Sequence, residues 1–204
     1  MINTAIFSKK VAVFSILFFV CTIFCTPVVL ADEFDEDRYS IDTKIEVSYP
    51  KFEDISNKEI ESKINNDVKQ YVHQNLRDIQ EFLYEDFSTF FDIDYDVKSK
   101  SEEKISFVMK FSTYTGGAHG NVGIKTFNYD LKTGKELSLK DVSNISIKEI
   151  NKEIFKQAPG LYQDFKGITE YPSNFYQDKY GKIVIIFAPY EIAPYAVGII
   201  EIKI

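Results

Sequence analysis

The sequence predicts an α+β fold in which an antiparallel sheet packs on one long amphipathic helix, with a second, shorter helix. Two observations carry this prediction. One stretch keeps a single apolar stripe over about eight helical turns, and several short runs alternate apolar and polar residues with period two. The alternating runs are mostly joined by short turns, which favours an antiparallel sheet within the α+β class.

The first 31 residues predict an export signal. Two lysines precede an uncharged run from Val11 to Ala31, and Pro27 and the small residue Ala31 are typical of a signal peptide that is cleaved after Ala31. The run is also long enough to cross a bilayer as a helix, so an uncleaved anchor is the alternative. Either reading places the protein outside the cytoplasm, secreted or at the cell surface. Residues 32–40 follow as an acidic tether.

The long helix follows a first strand. Apolar and polar residues alternate over 45–49, and Pro50 ends this strand. Ser56 with Glu59 has the spacing of a capping box, so a helix is expected over about 57–88. The positions that share its predicted buried stripe are Ile60, Ile64, Val68, Val72, Asn75, Leu76, Ile79, Leu83 and Phe87.

The remaining elements are strands around one short helix. The alternating or continuously apolar runs predict strands over 93–97, 105–113, 121–129, 183–187 and a last run that ends at Ile204. Gly134 supplies the positive φ of a turn after the third of these. Ser146 with Glu149 is a second capping box, and it opens a helix that Pro159 and Gly160 close.

Charge and composition exclude several classes of function. The 22 basic and 31 acidic residues after Ala31 leave a net charge of −9, which argues against nucleic-acid binding. Cys21 and Cys25 both precede Ala31, so the body has no disulfide, thiolate metal ligand or thiol nucleophile. His73 and His119 are its two histidines and match no metal motif. We therefore predict no metal, no cofactor and no enzymatic activity.

Two loops have the composition of binding segments. The first contains Gly116, Gly117 and His119, and its glycines let the backbone approach a partner closely. The second runs from Pro189 to Tyr195; its tyrosines offer large rigid contact areas, and its prolines reduce the entropy lost when the loop is ordered. The alternative reading is structural, with an imidazole that fixes a turn and tyrosines that pack on the sheet.

The segments 114–120, 128–141 and 187–198 resemble a known pair of modules. They are similar to the extracellular region of RsiV-type anti-sigma factors and to the non-catalytic N-terminal part of PdaC-type peptidoglycan deacetylases. The resemblance implies a PdaC-like N-terminal module over 41–115 and an RsiV-like C-terminal module over 116–204, packed together. It also implies a protein of the bacterial envelope.

In RsiV-type proteins this region is a receptor for lysozyme, with loops that enter the substrate cleft. The resemblance therefore predicts a binding protein for lysozyme or another muramidase, and an inhibitor if the loops fill the cleft. The candidate binding residues are Tyr114, Thr115, Gly116, Gly117, His119, Pro189, Tyr190, Glu191, Pro194 and Tyr195. A peptidoglycan- or glycan-binding module is the alternative, and an enzyme that acts on wall polymer through His119 is a less favoured hypothesis. Contact with a membrane is expected only through an uncleaved N-terminal segment.

Overall fold

The computed structural model describes residues 38–41, 45–85 and 90–204. The predicted signal peptide, most of the predicted tether and the end of the predicted long helix lie outside the described residues. Side chains are described from Ile45 to Ile79 and from Phe90 to the last residue, Ile204.

The described strands form two sheets. The first has five strands in the order β1 to β5, namely β1 (Arg38–Ile41), β2 (Ile45–Ser48), β3 (Phe90–Lys100), β4 (Lys104–Tyr114) and β5 (Asn121–Asp130). The second has three strands in the order β6 to β8, namely β6 (Phe175–Gln177), β7 (Ile183–Phe187) and β8 (Ile200–Lys203). The described helices are α1 (Lys58–Glu85), α2 (Leu139–Val142) and α3 (Ile147–Gln157), and a short 3₁₀ turn covers Tyr195–Val197. The α+β class predicted from the sequence is confirmed.

The first sheet is mixed, which corrects the prediction of a purely antiparallel sheet. Strands β2 and β3 pair in parallel, with Val47 opposite Ile93, whereas the other pairs are antiparallel. Between β2 and β3 the chain makes a long crossover that contains α1, and such a crossover returns the chain in its original direction. β1 pairs with β2, so its first residues belong to the sheet and not to the acidic tether predicted over 32–40.

The long helix begins one residue later than the predicted capping box implies. The side-chain oxygen of Asn57 accepts hydrogen bonds from the amides of Glu59 and Ile60, at 3.0 and 3.3 Å. Asn57 is therefore the N-cap, and the predicted Ser56–Glu59 box is wrong, because the asparagine side chain already satisfies those amides. Five of the predicted stripe positions are buried, namely Ile60, Ile64, Val68, Val72 and Leu76, whereas Asn75 and Ile79 are half-buried.

The elements stack in four layers: α1, the five-stranded sheet, the three-stranded sheet and α3. Between α1 and the first sheet, the ring of Tyr71 meets that of Phe127 edge-on with centroids 5.6 Å apart. Between the sheets, Val108 packs with Tyr176, Val184 and Ile186. The outermost core, between the second sheet and α3, contains the buried side chains of Leu139, Ile150, Ile154, Phe175, Ile183, Ile185, Phe187, Ile192, Ala193, Ile200 and Ile202.

A buried polar network joins the two sheets at β6. Asn128 accepts a hydrogen bond from the Ser106 hydroxyl and donates one to the carbonyl of Phe175, both at 2.7 Å. The hydroxyl of Thr126 accepts from the amide of Phe175 at 3.0 Å. A three-residue edge strand leaves one row of backbone groups without a strand partner. Side chains of the first sheet supply those partners, and these hydrogen bonds fix the position of β6 on the first sheet.

Several predicted local features are confirmed. The hairpin of β3 and β4, the strand β5 and the apolar strand β7 lie where the sequence predicted them. Ser146 is the N-cap of α3, and its hydroxyl accepts a hydrogen bond from the amide of Glu149 while the Glu149 carboxylate accepts from the amide of Ser146. Gly134 has the expected positive φ, 70°. None of the helices in the part of the chain that the structure describes is long and apolar enough to span a membrane.

Candidate functional site

Two loops from different sheets meet at one end of the molecule. The histidine loop (residues 115–120) connects β4 to β5, and the proline loop (residues 188–199) connects β7 to β8. Because the two sheets pack face to face, the ends of their strands bring these loops together. The meeting point is an aromatic cluster of His119, Tyr190 and Tyr195, which we call the loop cluster.

The loop cluster is held by one hydrogen bond and by ring contacts. The hydroxyl of Tyr190 lies 3.0 Å from Nε2 of His119. The imidazole stacks on the ring of Tyr195, with centroids 4.0 Å apart and planes at 16°. The two tyrosine rings lie 5.5 Å apart at 38°. Three candidate residues from two segments that are about 70 positions apart in sequence therefore form one unit.

The backbone of the proline loop presents Tyr190 in a costly conformation. Among the described residues other than glycine, Tyr190 alone has a positive φ, 74°. A left-handed conformation at a non-glycine residue costs on the order of 1 kcal/mol. Its amide donates to the carbonyl of Ala193 at 3.1 Å, and the amide of Glu191 donates to that of Ala188 at 3.2 Å. The tight turn leaves the Tyr190 side chain 53% exposed.

Glycines shape the histidine loop. Gly116 and Gly117 have φ values of 92° and 99°, which favour glycine. At Gly120 the constraint is space, since a Cβ there would lie 2.5 Å from the carbonyl oxygen of Thr113. His119 is exposed, and its Nδ1 lies 2.8 Å from the carbonyl oxygen of Gly120. The predicted positive-φ glycines and the predicted contact between imidazole and backbone carbonyl are both present.

The other predicted site residues take different places. The hydroxyl of Tyr114 donates to the carbonyl of Gly117 at 2.9 Å and its ring stacks on Phe90, so Tyr114 ties the histidine loop to the end of β4. Thr115 and Pro194 are exposed, and Pro189 is half-buried.

Glu191 is turned back into its own loop. Its carboxylate accepts a hydrogen bond from the amide of Ala188 at 2.8 Å. Desolvation raises the pKa of Glu191, and the bond from Ala188 opposes that rise. The carboxylate thus stabilises the turn that carries Tyr190.

The sequence reasoning missed an acidic groove. It is a cavity of about 260 Å³ between the two sheets, with Ile124, Ile186 and Ile199 among its apolar walls. Its charged lining is Asp94, Asp96, Lys98, Lys110 and Glu201. Asp94 and Asp96 share one face of β3, because residues two apart on a strand point to the same side. Nothing in the sequence indicated that β8 would bring Ile199 and Glu201 opposite them.

The groove and its surroundings carry excess negative charge. Burial raises the pKa of Asp92, and the neighbouring carboxylates of Asp94 and Glu46 raise it further. Asp96 forms an ion pair with Lys98 at 2.6 Å. In the described part of the chain, no group of three or more histidine, cysteine, aspartate or glutamate side chains is arranged to hold a metal ion.

Comparisons with known proteins identify two regions. Residues 37–122 match the family model described as Deacetylase PdaC, and residues 129–204 match that of a protein of unknown function, DUF3298. The predicted resemblance to PdaC-type modules is confirmed, and the chain combines a region similar to PdaC with a region similar to DUF3298 proteins. No curated protein matches the chain.

Solved structures show the same fold. A DUF3298 family member from Bacteroides fragilis superposes with a TM-score of 0.57 at 21% identity, covering 78% of this chain and 80% of its own. A DUF3298 family protein from Pseudomonas aeruginosa gives a TM-score of 0.56 at 18% identity, with the same coverages. At this level of identity the similarity concerns the fold alone.

Proposed function

We propose that this protein binds lysozyme-type muramidases outside the cytoplasm, as a secreted or surface-held protein of a bacterial envelope. In this proposal the loop cluster enters the substrate cleft of the enzyme and inhibits it. The observation that carries the proposal is the convergence of the histidine loop and the proline loop into one aromatic unit, in which His119 and Tyr190 are exposed and Tyr195 is half-buried. The resemblance to RsiV-type receptors points to the same two loops.

The geometry of the loop cluster suits insertion into a cleft. Tyrosine offers a large apolar face and a polar end, and such residues dominate binding energy when they sit at the centre of an interface. Tyr190 is prominent, and it is held by His119 and by the turn of the proline loop. A cluster that is ordered before binding loses less conformational entropy on binding.

Charge supports a basic partner. The chain has a net charge of −7, and three carboxylates against two lysines line the acidic groove. Oppositely charged surfaces speed association, and this effect weakens as salt increases. We therefore propose that the protein acts by binding and not by catalysis.

The test is calorimetric titration with a c-type lysozyme at low and at physiological salt. We expect tight binding that weakens with salt, and a large loss of affinity in Tyr190→Ala and Tyr195→Ala. The matched control is Tyr180→Ala, because Tyr180 is 76% exposed but lies in the turn between β6 and β7. Absence of binding at both salt concentrations would refute the proposal. Equal effects of all three substitutions would refute the assignment to the loops.

Binding of peptidoglycan is the second candidate. The observation in its favour is the exposed ring of Tyr190, since aromatic faces also stack on sugars. Co-sedimentation with purified sacculi, in the absence of any muramidase, separates the two functions. Sedimentation that depends on Tyr190 while lysozyme does not bind would favour the glycan.

A further inference from the structure

The hydrogen bonds of His119 fix which of its nitrogens carries the proton. Nδ1 lies 2.8 Å from the carbonyl oxygen of Gly120, and a carbonyl can only accept. Nδ1 must therefore carry a hydrogen. In the neutral ring the other nitrogen, Nε2, is then an acceptor. The hydroxyl of Tyr190, 3.0 Å away, consequently donates its hydrogen to Nε2.

This arrangement determines what Tyr190 offers to a partner. A phenol oxygen has one hydrogen and two lone pairs, and the hydrogen of Tyr190 is donated in the hydrogen bond to His119. The exposed oxygen of Tyr190 therefore faces outward as an acceptor. A partner group that meets it must be a donor, such as an N–H or a hydroxyl.

Protonation of His119 reverses the polarity of that bond. Both ring nitrogens of an imidazolium are donors, so Nε2 then donates to the oxygen of Tyr190. The hydrogen of Tyr190 becomes free to point outward. The stacking of His119 on Tyr195 at 4.0 Å keeps the cluster assembled, because a cation over a tyrosine face is attracted to it. The outward side of Tyr190 thus loses one of its two free lone pairs, gains a hydrogen that can be donated, and lies beside one added positive charge.

The titratable groups around His119 in the described part of the chain come from the two loops and from the segments packed on them. Within the two loops the other titratable groups are Tyr190, Tyr195 and Glu191, with Tyr114 at the end of β4. The carboxylate of Glu191 is bonded to the amide of Ala188. The amide of Tyr162 donates a hydrogen bond to the carbonyl of Ile192 in the proline loop. The charged residues that follow Tyr162 in sequence are Asp164 and Lys166.

We propose that His119 is a positioning residue that holds Tyr190 as an acceptor toward a donor group of the partner, and that protonation of His119 weakens binding of a basic partner. This inference rests on the proposed function, since the partner is the muramidase proposed above. Reversed polarity at Tyr190 and the added positive charge both act against a basic, donor-bearing surface. A partner whose group at Tyr190 is a carboxylate would show the opposite pH dependence.

The first measurement is nitrogen NMR of the histidine-labelled protein without any partner. We expect neutral His119 to be protonated at Nδ1 and not at Nε2, with His73 as the one other histidine signal. A neutral ring protonated at Nε2, or an averaged mixture of both forms, would overturn the positioning role. Because no partner is present, this result is independent of the proposed function.

The second measurement is titration with a c-type lysozyme at pH 8 and at pH 5, a range in which histidine side chains change charge. Tyr190→Phe keeps the ring and the charge change but lacks the hydroxyl, so it isolates the polarity effect. Loss of one hydrogen bond corresponds to about a fivefold change in affinity. We expect acidification to weaken the wild type about fivefold more than Tyr190→Phe. His73→Gln is the control and should follow the wild type.

The outcomes separate the two proposals. Equal pH dependence in the wild type and Tyr190→Phe would overturn the inference while leaving lysozyme binding intact. A lysozyme that binds at neither pH would overturn the proposed function and the weakening on protonation with it. The NMR result would still decide whether His119 positions Tyr190.

Discussion

Replacing Asn128 by alanine should remove the main polar link between the two sheets. Asn128 lies in β5 and is 4% exposed. Its side chain accepts from Ser106 on β4 and donates to the carbonyl of Phe175 on β6, both at 2.7 Å. The alanine leaves the Phe175 carbonyl without this donor and the Ser106 hydroxyl without this acceptor, in a region closed to water.

The expected loss of stability follows from these two groups. A buried polar group that loses its partner costs about 1–3 kcal/mol. The Ser106 oxygen still accepts a hydrogen bond from the amide of Gln177 at 3.3 Å, so the cost at Ser106 lies at the lower end of that range. The free energy of unfolding should therefore fall by about 3 kcal/mol. The free energy of unfolding of a domain of this size is about 5–15 kcal/mol, so the variant should remain folded but be clearly destabilised.

Urea denaturation followed by far-UV circular dichroism measures this loss. Asn144→Ala is the matched control, because Asn144 is exposed in the loop before α3. We expect the control to change stability by less than about 0.5 kcal/mol. A loss of under about 1 kcal/mol in Asn128→Ala would show that the network contributes little. Packing of the apolar side chains would then be sufficient to hold the sheets together.

Three further substitutions test local features. Gly120→Ala places a Cβ 2.5 Å from the carbonyl oxygen of Thr113, so urea denaturation should show a loss of about 1–3 kcal/mol; unchanged stability would contradict the close approach. Ser146→Ala removes the N-cap of α3 and should cost about 1 kcal/mol in the same assay, and no loss would show that the cap is dispensable. Burial, together with the carboxylate of Glu201, raises the pKa of Tyr176 to about 12. The unfolded chain releases that proton first, near pH 10, so stability should fall between pH 10 and 12. The free energy of unfolding of Tyr176→Phe should fall less steeply with pH than that of the wild type. Identical slopes would contradict the raised pKa of Tyr176.

Local patterns were sufficient to predict most of the elements. Period-two alternation located β3 and β4, and the spacing of three and four located the buried face of α1. The glycine-rich break before residue 121 and the turn at Gly134 bounded β5. These predictions hold because each depends on neighbours within one element. The start of α1 was misplaced by one residue, since Ser56 and Asn57 are both good N-caps and only the folded backbone shows which one reaches the free amides.

The pairing of strands was not available from the sequence. β6 is three residues long and carries no alternation that distinguishes it from a loop, and its backbone groups are satisfied by Ser106, Thr126 and Asn128. The parallel pairing of β2 with β3 depends on where the crossover that contains α1 places β3 relative to β2. Contacts of this kind join residues far apart in sequence, so no local pattern encodes them.

The sequence by itself determined the fold class, most elements, the acidic character and the two loops that were candidates for binding. The glycines, prolines and tyrosines of those loops were sufficient to nominate them, because each residue type restricts the local backbone or exposes a particular surface. Only the tertiary structure decided that His119 meets Tyr190 and Tyr195, and that Tyr114 and Glu191 support the loops instead. The physical reason is that two sheets must pack face to face before the ends of β4 and β7 can bring His119 and Tyr190 within 3.0 Å.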